Sequence, residues 1–363
     1  MRILFYISTI KGGGAARVMT NLANCFANDS DLKAEVFLLT NFTADVEYTL
    51  SENVNRSYIE EKETSENRIK KNIRRCLALR RAIKKMNPDI VVSFMQENDV
   101  RNLVANIGLK NVKSVMSVRN DPQVLFSGWL RNRIFRFVYN HADGVVFQTE
   151  EARKWFGENF RPKSKVIINQ TAEKFYNVKR FDSVKGIVTF GSYLPKKNHS
   201  LLIRAYAKIA NDIKDDLYIY GNGTLEQDYK RLIDELKLTK RVHLCGVTDH
   251  PETILASSKL FVLSSDHEGM PNVLLEALAS GIPCISTDCP CGGPKAVIDN
   301  MENGILVPTN DVDALADAMR LVLLNEDLQN KLGLQAKERA LRFKPDVVYD
   351  EWKDFFNEIM CSR

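Results

Sequence analysis

Residues 265–281 read Ser265-Asp266-His267-Glu268-Gly269-Met270-Pro271-Asn272-Val273-Leu274-Leu275-Glu276-Ala277-Leu278-Ala279-Ser280-Gly281. The apolar run 260–263 ahead of them has the length and composition of a buried strand. Pro271 suits the first turn of a helix and Gly281 its end. A strand, a loop and a helix in that order form one βα unit of a parallel sheet. The unpaired amides of Met270, Asn272 and Val273 then point off the carboxyl edge of that sheet, where a phosphate or sugar hydroxyls can be met. Glu268 falls in the loop and Glu276 in the second helical turn. Two carboxylates so separated suit two polyol groups better than one metal, since each accepts a pair of vicinal hydroxyl hydrogens. Taken singly, a solvated Glu276 and a helix-dipole partner in Glu268 account for them as well.

Working outward, short β-branched runs recur between helical stretches along the whole chain. The pattern predicts strands at 2–8, 35–39, 90–94, 114–118, 144–147 and 166–168, then at 187–190, 217–220, 242–245, 260–263, 284–286 and 305–307. Six and six imply two doubly wound α/β domains in tandem, with strand-to-helix loops of both converging on a cleft. The polar stretch 171–185 is the expected boundary. Domains are accordingly expected at 1–176 and 177–345, with 346–363 carrying an amphipathic helix that returns to the first. The first strand runs into Ser8-Thr9-Ile10-Lys11-Gly12-Gly13-Gly14 before a helix. This is a phosphate-approach turn or only a tight turn. Its spacing matches neither G-x-G-x-x-G nor the P-loop, which argues against nicotinamide and NTPase chemistry.

The chain has 363 residues, 44% hydrophobic and 27% charged. These values exclude a disordered, collagen-like or coiled-coil protein. No apolar run approaches the roughly 20 residues of a membrane span, and no signal-peptide anatomy opens the chain, so a cytoplasmic protein is expected. Cysteines 25, 76, 245, 284, 289, 291 and 361 lack zinc-ligand spacing and are expected to be reduced thiols. Net charge is +5, but residues 1–180 carry 30 Lys/Arg against 19 Asp/Glu, and residues 181–363 carry 21 against 27. The basic first half points to an anionic partner: a membrane surface, a nucleic acid or a phosphorylated substrate.

The densest basic stretch is 67–88, with Arg68, Lys70, Lys71, Arg74, Arg75, Arg80, Arg81, Lys84 and Lys85 and no acid. Ile69, Ile73, Leu77 and Ile83 recur there at near-helical spacing. A crossover helix with a solvated face and an electrostatic dock on anionic lipid both fit this pattern. Phe126, Trp129 and Leu130 add exposed-looking apolar groups beside Arg131, Arg133 and Arg136. Asp311-Val312-Asp313 is a literal D-x-D, but its place after a strand and before an amphipathic helix reads as helix capping rather than a metal site.

The run E-G-M-P-N-V-L-L-E-A-L-A-S-G, in which Glu268 and Glu276 enclose seven residues, resembles the signature of family 4 retaining glycosyltransferases. These have the GT-B fold, two doubly wound Rossmann-like domains facing a central cleft. The likeness extends in order through the K-G-G-G-A-A-R-V-M-T-N-L-A opening, 191–198, Gly221-Asn222-Gly223, 242–247 and 304–308. It implies that Glu276 holds the ribose of a nucleotide-sugar donor and Glu268 the donor sugar. The backbone from Gly269 through Met270, Pro271, Asn272 and Val273 to Leu274 would frame the sugar and diphosphate, with its N–H groups other than at Pro271 as donors. Lys197 would neutralise the diphosphate, Gly13 and Gly14 would face it from the first domain, and Gly221, Val247 and Thr248 would lie by the nucleotide.

Three positions depart from the family pattern. Ser192 stands where an arginine is usual, with Lys196 or Arg119 as substitutes; Ala296 stands for a frequent glutamate; and Arg119 stands where many members place a histidine near the acceptor. The resemblance implies a retaining, metal-independent transferase that needs no cofactor. It would carry a hexose or N-acetylhexosamine from a UDP-sugar to a polyprenyl-linked saccharide at the inner face of a membrane, with Glu268, Lys197 and Arg119 catalytic. A GT-B epimerase or phosphorylase, and a basic nucleic-acid-binding protein, are the alternatives. No recognised nucleic-acid module supports the latter.

Overall fold

The computed structural model describes residues 1–63, 65, 67–160, 162–179 and 186–361. The chain divides into two compact units, Met1–Ile168 with Val348–Arg363, and Asn169–Val347. The first unit thus ends ahead of the 176/177 boundary expected from the sequence. The reason is local: the Thr171 amide donates to the Phe343 carbonyl at 2.8 Å and the Tyr176 hydroxyl to the Ala340 carbonyl at 2.8 Å, which tie this stretch to the second unit. Residues 180–185 of the predicted linker lie outside the described residues.

Among the described residues the first unit holds a parallel seven-stranded sheet. Its strands are β1 (Arg2–Ile7), β2 (Glu35–Phe42), β3 (Val54–Glu60), β4 (Ile90–Phe94), β5 (Lys113–Val118), β6 (Gly144–Phe147) and β7 (Lys163–Val166), in the order β3-β2-β1-β4-β5-β6-β7. Side chains alternate across a strand, so β1 supplies two cores. Ile3, Phe5 and Ile7 pack with Met19, Leu22 and Phe26 of helix Gly14–Asn28 and with Trp352 and Phe356 of helix Pro345–Met360. Leu4 and Tyr6 pack with Leu79, Ile83 and Ala105 on the other face. The closing helix is anchored further where Lys353 Nζ and Tyr349 OH reach Asp29 Oδ2 at 2.6 and 2.5 Å; these donors hold the Asp29 carboxyl well below the usual carboxylate range.

Two strand expectations fail here. β3 was not anticipated, because this edge strand buries only Val54 and Glu60 and so lacks the apolar run of its neighbours, and the strand expected at 166–168 lies at Lys163–Val166. In the helix Arg68–Met86 the four spaced apolar residues divide between two faces. Its inward stripe is Arg75, Leu79 and Ile83, whereas Ile69, Ile73 and Leu77 face outward. The deciding partner is buried Glu60 of β3, whose carboxylate accepts from Arg75 Nε at 3.0 Å; a buried guanidinium is tolerated because it is paired.

The second unit holds, among the described residues, a parallel sheet of β8 (Ile187–Phe190), β9 (Leu217–Tyr220), β10 (Val242–Gly246), β11 (Leu260–Leu263), β12 (Cys284–Thr287) and β13 (Ile305–Val307). The order is β10-β9-β8-β11-β12-β13, so the strand sequence reverses direction between β8 and β11. In doubly wound sheets that switch point opens a crevice at the carboxyl ends of the strands. Asp311 accepts from the Ala314 amide at 2.9 Å as the cap of helix Val312–Leu323, and Asp313 pairs with Lys208. Both aspartates of the D-x-D triplet are therefore engaged in structure.

Candidate active site

The loops after β8 and β11 meet at the switch point and are laced together. Lys197, after β8, forms an ion pair with Glu268, after β11. Ser265 Oγ donates to the same carboxylate at 3.0 Å. Asn198 Nδ2 donates to Asp266 Oδ1 at 2.8 Å, the Asp266 amide to the Lys196 carbonyl at 2.9 Å, and Ser264 Oγ to the Lys197 carbonyl at 3.1 Å. From below, Thr287 Oγ1 and Cys289 Sγ donate to the Ser265 carbonyl at 2.5 and 3.2 Å. Burial pushes the Cys289 thiol up to about 12, so it stays protonated as a donor. Among the described residues no disulfide joins any of the seven cysteines.

The ion pair is the central feature. Both side chains are mostly buried, at 14% and 11% exposure, so their attraction is screened less than at an open surface. A lysine ammonium has three donors. Glu268 takes one and fixes the direction of the others.

Helix Asn272–Ala279 starts immediately after Pro271. The Leu274 and Leu275 amides both bond to the Pro271 carbonyl, at 3.0 and 3.3 Å. The Leu274 amide is therefore engaged inside the helix, where the resemblance implied that it meets the donor. The amides of Asn272 and Val273 have no acceptor within the helix and face its open end. Glu276, in the second turn, is 6% exposed, which excludes a solvated surface carboxylate. Asn272 Oδ1 accepts from Asn169 Nδ2 at 2.6 Å.

Two glycines explain how the loops come so close. A Cβ on Gly293 would fall 1.9 Å from the Gly269 carbonyl oxygen and 3.2 Å from Pro271 Cδ. One on Gly221 would fall 1.9 Å from the Gly191 carbonyl oxygen. Gly221 also donates its amide to the Gly246 carbonyl at 2.8 Å, which sets the loop after β9 against Val247 and Thr248. Val247 is exposed, Thr248 caps the turn to His250 at 3.1 Å, Ser192 is half-buried and Lys196 exposed. The sequence had assigned Gly221 to ligand contact; its placement shows a packing requirement in addition. Gly293 was missed, although the Gly292-Gly293-Pro294 run was the available signal.

His199 was also missed. It sits two residues past Lys197, buried against the rings of Tyr193 and Tyr229 at 5.8 and 5.7 Å, with Nε2 3.4 Å from the Gly191 carbonyl oxygen. Desolvation lowers its pKa from 6.5 to about 4. The unfolded imidazole therefore takes up its proton first on acidification, and folding stability should fall as pH drops from about 6.5 to 4. Urea titrations over that range are expected to show a shallower slope for His199→Gln; an unchanged slope would mean that His199 is not the group responsible.

Gly13, Gly14 and Arg119 belong to the first unit. Gly13 caps helix Gly14–Asn28 at φ 82°. Arg119 follows β5, buried, with its guanidinium 4.5 Å from the centre of the Phe94 ring. Burial lowers its pKa to about 9, leaving it cationic at neutral pH. Of the predicted docking residues, Arg75 is internal and Arg74 also binds Glu60, at 3.1 Å. Arg80 donates to the Ala105 and Ile107 carbonyls at 2.7 Å. Arg68 pairs with Glu97 at 2.7 Å and Lys71 with Glu63 at 3.6 Å. Lys70, Arg81, Lys84 and Lys85 are exposed. Phe126 is buried against Phe135, not exposed, while Trp129 and Leu130 are exposed. Among the described residues no helix is long and apolar enough to cross a membrane.

Two family models match the chain, "Glycosyltransferase Family 4" over residues 12–169 and "Glycosyl transferases group 1" over 171–339. A curated relative, the Campylobacter jejuni GalNAc-alpha-(1->4)-GalNAc-alpha-(1->3)-diNAcBac-PP-undecaprenol alpha-1,4-N-acetyl-D-galactosaminyltransferase, is 25% identical over 369 residues, covering 99% of each chain. Among solved structures, sucrose-phosphate synthase from Thermosynechococcus elongatus superposes with a TM-score of 0.84 at 17% identity over 100% of both chains. Anabaena HepE in complex with UDP and glucose superposes with a TM-score of 0.80 at 17% identity, over 99% of this chain and 100% of that one. With both halves matched in turn and the fold shared end to end, this chain belongs to glycosyltransferase family 4 and has the GT-B fold.

Proposed function

We propose that this glycosyltransferase moves a hexose or N-acetylhexosamine from a UDP-sugar to a polyprenyl-linked saccharide, with retention of configuration and without a resident metal, in cell-surface glycan or polysaccharide biosynthesis. The observation that carries the proposal is the Lys197–Glu268 pair across the switch point of the second sheet. Breaking the anomeric C–O bond leaves negative charge on the β-phosphate, so the first demand on the site is a fixed positive group beside those oxygens. Lys197, aimed by Glu268, meets it, together with the amides of Asn272 and Val273.

Glu276 accepts the ribose hydroxyls and Glu268 a donor-sugar hydroxyl. The acceptor oxygen bonds to the anomeric carbon on the face the phosphate leaves, and its proton passes to the departing phosphate oxygen. No protein base is then required. The resemblance to the family assigns Arg119 to the acceptor. The undecaprenol-linked substrate in the name of the Campylobacter relative and the UDP held by HepE support the choice of acceptor and nucleotide. The exposed lysines and arginine of helix Arg68–Met86 suit an enzyme peripheral to the inner face of the cell membrane.

Thermal denaturation in the presence of UDP-, GDP- and ADP-sugars tests the reading. A donor at about 100 times its Kd stabilises by roughly 2.7 kcal/mol, and a UDP-sugar is expected to give that shift. No shift with any donor would overturn the proposal. Glu276→Ala should weaken donor binding about 10- to 100-fold by calorimetry, since hydrogen bonds to a charged group contribute roughly 1.5–3 kcal/mol. Donor affinity equal to wild type would remove Glu276 from the ribose site.

A further inference from the structure

Helix Asn272–Ala279 opens without a side-chain cap and with no acidic residue in its first turn. Pro271 stands at the cap position, and its ring has no oxygen to offer. The open amides of Asn272 and Val273 therefore have one acceptor close by in sequence, the side-chain oxygen of Asn272 itself. Asparagine readily turns that oxygen onto its own or a neighbouring backbone N–H. A helix start closed in this way would have less to give an anion.

The fold holds that oxygen elsewhere. Asn169 Nδ2 donates to Asn272 Oδ1 at 2.6 Å, and Asn169 is only 3% exposed. The segment that carries Asn169 is itself fixed. Thr171 gives its amide to the Phe343 carbonyl at 2.8 Å, and Phe175 is buried. Asn169 is the first residue of the second unit, so the contact lies within the unit that carries Lys197, Glu268 and Glu276. Asn272 is half-buried, and packing alone does not lock its side chain. The bond from Asn169 does.

We propose that Asn169 is a positioning residue for the donor: by holding the Asn272 side chain aside, it keeps the Asn272 and Val273 amides open to the diphosphate. It acts through Asn272 and touches no substrate. This role rests on the donor reading above and deepens it, since it names what keeps the anion-binding end of the helix unblocked.

In Asn169→Ala the released Asn272 oxygen competes with the diphosphate, so the donor must first break one neutral hydrogen bond. KM for the UDP-sugar, and Kd for UDP by calorimetry, should rise about 3- to 10-fold. The loss is shared by ground state and transition state, so kcat should stay within about twofold of wild type. Asn169→Leu, which keeps the bulk without the donor, should behave in the same way. Binding of uridine, which has no phosphate, should not change. Where Asn272 is already alanine, adding Asn169→Ala should have no further effect, because no side chain is left to hold. Without ligand, hydrogen exchange read by NMR should slow at the Asn272 or Val273 amide in Asn169→Ala, as that amide gains an acceptor.

An asparagine that only supported the fold would act in both backgrounds and weaken uridine binding as well. Either result would overturn the proposal, and so would wild-type UDP affinity in both Asn169 variants. If the wild-type protein binds no UDP while the exchange change appears, the donor reading fails and the hold of Asn169 on the helix start stands.

Discussion

Lys197→Ala is expected to lower kcat by about 10²–10³, the typical loss when one pre-oriented donor is withdrawn from a developing oxyanion, with a much smaller change in KM. The asymmetry follows from where the charge grows. Donor phosphates are already anionic in the ground state, but the β-phosphate gains negative charge as the anomeric bond lengthens, so a fixed ammonium contributes more in the transition state. The same substitution takes the ammonium from the carboxylate of Glu268, 11% exposed, to which Ser265 Oγ still donates, and should lower stability by about 1–3 kcal/mol. Adding Glu268→Gln removes that charge. The double variant should therefore recover melting temperature without recovering turnover, which separates the structural from the catalytic contribution of the pair. Steady-state kinetics at saturating acceptor give the kcat effect directly; near-wild-type turnover in Lys197→Ala would dismiss the assigned role.

Gly293→Ala should disable the donor site from outside it. The added Cβ would lie 1.9 Å from the Gly269 carbonyl oxygen, a backbone atom with no rotamer to yield. Relief requires moving the Gly269–Pro271 segment away, and with it the helix start where the Asn272 and Val273 amides emerge. Overpacking of this kind costs about 1–3 kcal/mol. Chemical denaturation should register that loss, and calorimetry should register at least a tenfold drop in UDP-sugar affinity, because the amides and Glu268 shift together. Wild-type affinity in a stably folded Gly293→Ala protein would show that the loop's position does not depend on this contact.

The two predictions differ in how far they were legible beforehand. Lys197, Glu268 and Glu276 stand in recognisable local runs, and a proline at a helix start or a glycine after its end acts through backbone geometry within a few residues. The inner strands β8, β11 and β12 of the second sheet were readable for a similar reason: they are buried along their whole length, as strands covered on both faces are, and so read as short, largely apolar runs. β3 was not, since an edge strand needs no such run. The orientation of Arg68–Met86 was not either. Its sequence contains two stripes of equal period, 69/73/77 and 75/79/83, and helical periodicity does not choose between them. Buried Glu60, on a strand the pattern did not reveal, pairs with Arg75 and makes the choice.

From its sequence alone, this protein is determined to be a succession of βα units carrying two carboxylates eight residues apart around a helix start, in the order of a known transferase family. Tertiary structure alone decided that Lys197 lies on Glu268, that Gly293 seats the Gly269 loop, and that isoleucines of a basic helix face outward. The physical reason is range. Periodicity and turn chemistry act over a few residues, whereas a contact between the loops of β8 and β11 exists only because strand order makes neighbours of segments 71 residues apart.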